Sequence, residues 1–426
     1  MLERYLTAAY RLRRYRTGPF GSHIDALAAK FDEQGYSPYT ARMLLSNVAH
    51  LSHYLLWRGI GRVEEMRPEH VKAFYTEHLP SCTCERPNSG AFASMPAAMR
   101  HLVQFLGERG LLHGFEAADP PPESVAGVLI RFETYLKDVR GLTTGSSNLH
   151  RRIVKRFLDA RYNRLGALML GDLTPAEVLE YSRESLATPY SPMTKRSIMA
   201  CLRTFFRFLF WEHIQSRDLT SAVPSVMHWK LADVPKYLPW DKVRLLLNTP
   251  NVNTPMGKRD RAIMMLMALL GLRAGEVAAL TLDHVQWRER HLTVPAAKAS
   301  RQRTMPLPSE AAKVLADYLR RGRPKTRSRM LFVRHRAPIK ALCNRSVGSI
   351  VSTHILQAGI KEPIRKGSHV LRHSLATCLI NKGVPIKQIS DILGHSSIQT
   401  TSIYAKVDVQ HLAEVARPFP AVKEGH

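Results

Sequence analysis

This sequence predicts a mainly α protein with a small antiparallel β-sheet (α+β), and three observations predict it. Apolar residues recur at three- and four-residue steps along most of the 426 residues, as amphipathic helices require. Two linkers, Ala118–Glu123 (A-D-P-P-P-E) and Ser216–Leu238 (rich in Pro, Ser and short apolar residues), divide those runs into three blocks. One stretch, H-L-T-V-P, a polar A-A-K-A-S-R-Q-R and T-M-P-L-P, reads as a β-hairpin. A chain of this length exceeds one compact core, so several domains are expected.

The first block carries I-D-A-L-A-A-K-F, then T-A-R-M-L-L-S-N-V-A-H-L-S-H-Y-L-L, P-E-H-V-K-A-F-Y and M-R-H-L-V-Q-F-L. The second repeats that plan with V-L-I-R-F-E-T-Y-L, N-L-H-R-R-I-V-K-R-F-L, T-P-A-E-V-L-E-Y and C-L-R-T-F-F-R-F-L-F-W. M-R-P-E-H-V at Met66 aligns with L-T-P-A-E-V at Leu173, a period of about 105 residues that favours a duplicated helical domain over two unrelated small helical bundles. The third block opens on P-W-D-K-V-R-L-L-L, a helix with Asp241 in its first turn. The apolar run Ala262–Leu272 follows; it is too short to span a bilayer and fits a buried helix. Expected domain limits are 1–118, 123–216 and 237–426.

A formal charge of +27 points to a polyanionic partner. From Lys236 onward there are 32 basic and 12 acidic residues, against 30 and 23 before it, so the attraction concentrates in the third block. The basic N-terminus lacks the apolar run of a secretory signal. Five cysteines, odd and sparse, argue for a reducing compartment rather than a disulfide framework. Cys82 and Cys84 form a C-T-C with His78 nearby. A metal site needs a fourth ligand that the sequence does not reveal, so no metal is expected. A soluble, cytoplasmic protein with no membrane partner is expected.

The third block places Arg273 (G-L-R-A-G-E-V), Lys298 (A-A-K-A-S-R-Q-R), His369 and Arg372 (S-H-V-L-R-H-S), His395 (L-G-H) and Tyr404 (S-I-Y) in order. Two Arg, a Lys and two His can hold and neutralise one phosphate, and a Tyr supplies an oxygen nucleophile. A guanidinium is a two-pronged clamp for phosphate oxygens, although Arg273 could equally pair with Glu276. His369 and Arg372 share one helical face. Lys298, near the hairpin tip with Arg301 and Arg303, could deliver a proton or touch backbone phosphates. Tyr404 falls within or just after a helix over Ser397–Ser402. Each residue has an ordinary reading alone; six in one order, each in its own local motif, do not.

The set resembles the tyrosine recombinases of the phage-integrase type, most specifically from Gly271 to Tyr404. The family pattern is an Arg in G-L-R-x-x-E, a hairpin Lys, H-x-x-R, G-H and a Tyr nine residues later, and every member is present. The resemblance implies that Tyr404 attacks a DNA phosphodiester to give a 3′-phosphotyrosine and a free 5′-hydroxyl. Arg273 and Arg372 would bind the scissile phosphate, with Lys298 as general acid, His369 as acid/base partner of the tyrosine and His395 as a hydrogen-bonding support. It implies no cofactor, because bond energy is kept in the phosphotyrosine and side chains supply the positive charge.

The second block looks like the family's core-binding domain, with Arg151, Arg152, Lys155, Lys195 and Arg196 as candidate phosphate contacts. Arg301 and Arg303 join them from the hairpin. The partners implied are double-stranded DNA sites and further copies of the chain, a dimer per site and a tetramer in synapsis. Accessory recombinases and host DNA-bending proteins are further candidates. Such an enzyme would associate with the nucleoid. The extra first block suggests a mobile-element recombinase. A type IB topoisomerase and a silent DNA-binding regulator are the alternatives; the G-H at His395 and the domain plan argue against the first, the intact residue set against the second.

Overall fold

The computed structural model describes residues 1–82, 84, 91–112, 123–227, 236–296, 302–361, 367–394 and 404, with residues 91–93 described as backbone alone. The described chain is mainly helical, with a three-stranded antiparallel sheet. It divides into two compact units: Met1–His113 together with Asp233–His426, and Gly114–Ala232.

The smaller unit contains helices Val125–Thr134, Thr144–Leu165, Pro175–Ala187 and Pro192–Trp211. Their starts follow from local chemistry. Ser124 and Ser191 accept hydrogen bonds from the amides of Gly127 and Thr194, and Thr174 forms a reciprocal box with Glu177. Thr144–Leu165 stops at Gly166, whose φ of +71° a side chain would disfavour. The apolar faces meet in a core that includes Phe132, Phe157, Phe205, Phe206 and Phe208.

Within the larger unit the N-terminal part has helices Ile24–Glu33, Pro38–Trp57, Pro68–Ala73 and Ala91–Gly107, with a 3-10 turn Val63–Glu65 before the third. The smaller unit has a similar order, including a 3-10 turn, Leu170–Asp172, before Pro175–Ala187. The N-terminal part meets the rest of its unit at the turn after Ile24–Glu33. The Ile339 amide donates to the Gln34 carbonyl at 2.8 Å, and Arg327 meets Glu33 at 3.1 Å. Gly35, at φ +75°, lies so close that a Cβ would sit 2.7 Å from Ile339 Cδ1. Glycine suits both that backbone and that contact.

The C-terminal part is built around Pro255–Leu270, the expected buried helix, which starts at the capping Thr254 and is buried along most of its length. Ser309–Asp317, Asn344–Gln357 and His369–Ile380 pack against it. Trp240–Leu247 carries Asp241 in its first turn, as anticipated. The expected hairpin is part of a sheet of three strands: β1 (Val285–Gln286), β2 (His291–Val294) and β3 (Arg303–Pro306), with Leu292 opposite Met305. A two-residue strand has too little alternation to read, which is why β1 escapes a pattern search. The helix expected over Ser397–Ser402 lies outside the described residues.

Candidate active site

The site begins where Pro255–Leu270 ends. Gly271 takes φ +61°, and a Cβ there would lie 2.7 Å from Leu393 Cδ2. The chain then turns so that Arg273 becomes the N-cap of Ala274–Ala279. Glu276 accepts from the Arg273 amide at 2.9 Å and from its Nη1 at 2.8 Å. Arg303 on β3 grips the same carboxylate with two nitrogens, at 3.2 and 3.0 Å. Glu276 is fully buried. Burial would push its carboxyl up, but hydrogen bonds from Arg303 and the Arg273 amide, with the Arg303 charge, outweigh it and hold the pKa below its usual value. One buried anion thereby holds two guanidinium groups that would otherwise repel each other.

Arg372 comes from His369–Ile380 and is 2% exposed. It donates to the carbonyl of Gly271 at 2.6 Å and to that of Leu393. Burial, and then the Arg273 charge, pull its pKa down to about 10, which still leaves it cationic at neutral pH. Arg273 Nη1 lies 3.5 Å from the Gly394 carbonyl. Two helix ends, at Gly271 and at Leu393–Gly394, thus present carbonyls to the two guanidinium groups.

Tyr404 is 2% exposed and clusters with Leu375, Ile380, Ile389 and Leu393. Its hydroxyl lies 2.6 Å from His373 Nδ1. Burial pushes the phenol up to about 12, against the opposing pull of the Arg372 and Arg273 charges. His369 precedes His373 by one helical turn, and their ring centres are 6.3 Å apart. Desolvation by the surrounding protein, and then the Arg372 and Arg273 charges, lower the His369 pKa.

The structure therefore brings together Arg273, Arg372 and Tyr404, with His369 on the same helix as Arg372. Lys298, Arg301 and His395 lie outside the described residues. Arg303, a candidate DNA contact, is engaged with Glu276, because the β2–β3 pairing carries it to that carboxylate. In the smaller unit Arg151 pairs with Glu133 at 2.5 Å and Lys155 with Asp159 at 2.7 Å. Arg152, Lys195 and Arg196 make no ion pair among the described residues. Two functional roles escape sequence reasoning. His373 follows Arg372 directly and sits four residues after His369, so its helical position is visible, but the tyrosine it meets is not. Arg303 reads only as one more basic hairpin residue.

The catalytic-domain model of the phage integrase family matches residues 236–411, and its N-terminal SAM-like domain matches residues 129–213. "Putative integrase/recombinase y4rF" of Sinorhizobium fredii is 35% identical over 99% of this chain and 96% of its own length. The chain is a tyrosine recombinase of the phage integrase family. Tyrosine recombinase XerD of Haemophilus ducreyi is 32% identical over 58% of this recombinase and 82% of its own length. Among solved structures, a lambda integrase (residues 75–356) dimer bound to a COC′ core site shares the fold at a TM-score of 0.52 and 18% identity, over 70% of the recombinase and 98% of that chain. XerH site-specific recombinase in a post-cleavage complex with palindromic difH substrate gives 0.51 and 18%, over 71% and 98%. Among the described residues of the recombinase, no helix is long and apolar enough to cross a membrane.

Proposed function

We propose that this recombinase cuts and rejoins DNA at paired specific sites through Tyr404. The Tyr404 oxygen attacks phosphorus, forming a tyrosine–phosphate bond and breaking the bond to the 5′-oxygen. The phenolic proton passes to a neighbouring imidazole, and Lys298 protonates the departing 5′-oxygen. Arg273 and Arg372 neutralise the charge that grows on the non-bridging oxygens, with His395 as a further donor. The observation that carries this reading is the grouping of two oriented guanidinium groups with the Tyr404 phenol around Gly271 and Leu393. His373, within hydrogen-bond reach of that phenol, joins His369 as a candidate acceptor of its proton.

The same reading assigns residues 1–118 to an extra helical domain, 123–216 to the core-binding domain and 237–426 to the catalytic domain. Arg152, Lys195 and Arg196 are its phosphate contacts in the smaller unit, with Arg151 and Lys155 available by exchanging their carboxylate partners for phosphate. It takes two chains per site and four in the paired complex, works in the cytoplasm on the nucleoid, and serves a mobile element.

The test is a nicked suicide substrate on a denaturing gel. Tyr404→Phe removes the attacking oxygen alone, so covalent attachment should vanish while binding stays near normal. An adduct that survives in this variant would remove Tyr404 from its role.

A further inference from the structure

The N-terminal part of the larger unit holds a cluster that DNA cleavage does not use. His50 comes from Pro38–Trp57, and His78 ends the wide helical turn Phe74–His78. Cys82 follows the short helix Leu79–Ser81, and Cys84 lies two residues beyond it. The donor atoms of all four lie within 4.8 Å of one another. His50 Nε2 is 3.0 Å from His78 Nε2, Cys82 Sγ is 3.3 Å from His50 Nε2, and Cys84 Sγ is 3.8 Å from His78 Nε2. The fourth donor that the C-T-C and His78 lack in the neighbouring sequence is therefore His50, 28 residues up the chain from His78.

We propose that His50, His78, Cys82 and Cys84 form a structural zinc site. Tetrahedral zinc with bonds of about 2.0–2.1 Å to nitrogen and about 2.3 Å to sulfur separates two nitrogens by about 3.3 Å and nitrogen from sulfur by about 3.6 Å. These three contacts are within a few tenths of an ångström of that scale, and all four donors lie within 4.8 Å of one another, so an ion enters by side-chain adjustment rather than refolding. Two imidazole nitrogens and two thiols with no carboxylate form a set that suits zinc and does not suit calcium or magnesium. With four protein donors the site is closed, which marks a structural rather than a catalytic metal.

The surroundings support this assignment. Phe74, fully buried, stacks on the His78 ring at 5.4 Å and 20°, and meets the His50 ring edge-on at 5.3 Å. The Tyr54 ring also lies against His78, at 4.8 Å. Imidazoles braced in this way keep their nitrogens aimed with little entropy left to lose. Three of the four ligands are half-buried and Cys84 is exposed, which leaves an entry path. A disulfide between Cys82 and Cys84 is the poorer use of these thiols, because one intervening residue strains the ring. Bound zinc would fasten the chain after His78 to Pro38–Trp57, closing a loop between them.

The test uses the full-length, untagged chain purified from zinc-supplemented culture. Elemental analysis should find about one zinc per chain. After chelator stripping, added cobalt(II) should give the d–d bands of a tetrahedral site and thiolate-to-cobalt charge transfer. His50→Gln and Cys84→Ser should each weaken zinc binding by more than about tenfold, since even outer partners of a metal are worth that much. His53→Gln should leave zinc binding unchanged: His53 lies beside the cluster but is hydrogen-bonded to the Arg14 carbonyl at 2.9 Å. Zinc held equally well by both ligand variants overturns the proposal. If those variants do not fold, the wild-type cobalt spectrum decides, and the absence of thiolate charge transfer overturns it.

Discussion

The larger unit contains two polar clusters built on opposite electrostatic plans. Around Glu276, three guanidinium groups crowd together, and one fully buried carboxylate with a few backbone carbonyls keeps them in place. Around Phe74, two imidazoles and two thiols meet with no fixed charge among them. The first cluster carries its own cations and is poised for an anion; the second collects neutral donors and is poised for a cation. The pair teaches that a site's missing partner can be read from what its side chains offer: clustered positive charge for an anion, clustered neutral lone pairs for a metal cation.

Removing the buried anion should disturb the first cluster most. Glu276→Gln keeps the shape but leaves Arg303 and Arg273 without their counter-charge, and breaking a buried pair costs about 3–5 kcal/mol. Arg273 is about a third exposed, so the expected loss sits at the lower end of that range. Denaturant midpoints of the two proteins measure it. An unchanged midpoint would mean that Glu276 does not organise the arginines.

Cleavage is the next readout. Arg273→Ala and Arg372→Ala should each slow single-turnover cleavage by at least about a hundredfold, the scale for one preorganised donor. Lysine should rescue poorly at both positions, and worse at 372, where two backbone carbonyls are held by separate nitrogens. Wild-type rates in both Lys variants would contradict a two-pronged contact.

Chelation should divide the two clusters cleanly. In excess EDTA the wild-type protein should still form the covalent adduct near its starting rate, because guanidinium groups supply the charge at the phosphate. The same treatment should release zinc from His50, His78, Cys82 and Cys84. Adduct formation that stops in EDTA and returns with Mg²⁺ would move the phosphate chemistry onto a metal.

How far each cluster can be read from sequence differs for a physical reason. Arg273, His369, Arg372 and Tyr404 each sit in a short motif with glycines or helical spacing, so local order is enough to group them. The anion that fixes the arginines is half visible: Glu276 is three residues from Arg273, yet its second partner, Arg303, arrives through the β2–β3 pairing. The Tyr404–His373 contact joins residues 31 apart and needs the packing of Ile386–Leu393 against His369–Ile380. In the other cluster three donors lie within seven residues, and the fourth is on a helix that only folding brings alongside. The helices themselves are legible because their apolar faces repeat; β1 is not, being two residues long.

The smallest effect tests the same electrostatics through pH. The Glu276 pKa is lowered in the folded state, so its stabilisation is complete above the usual carboxylate value of about 4.3 and is lost as pH falls through its own lower value. The stability gap between wild type and Glu276→Gln should therefore narrow on acidification below about pH 4. Tyr404 has the opposite sign. Its pKa is raised to about 12, so the folded state resists ionisation and its contribution is lost as pH rises from the usual phenol value of about 10 towards about 12. Tyr404→Phe should remove the Tyr404 share of the alkaline loss, while Tyr318 and other buried tyrosines keep theirs, and should leave the acid limb untouched; Glu276→Gln should reduce the acid limb alone. Unfolding curves for the three proteins across both windows check this. Equal pH profiles for all three would show that neither burial is felt as a charge penalty in the folded protein.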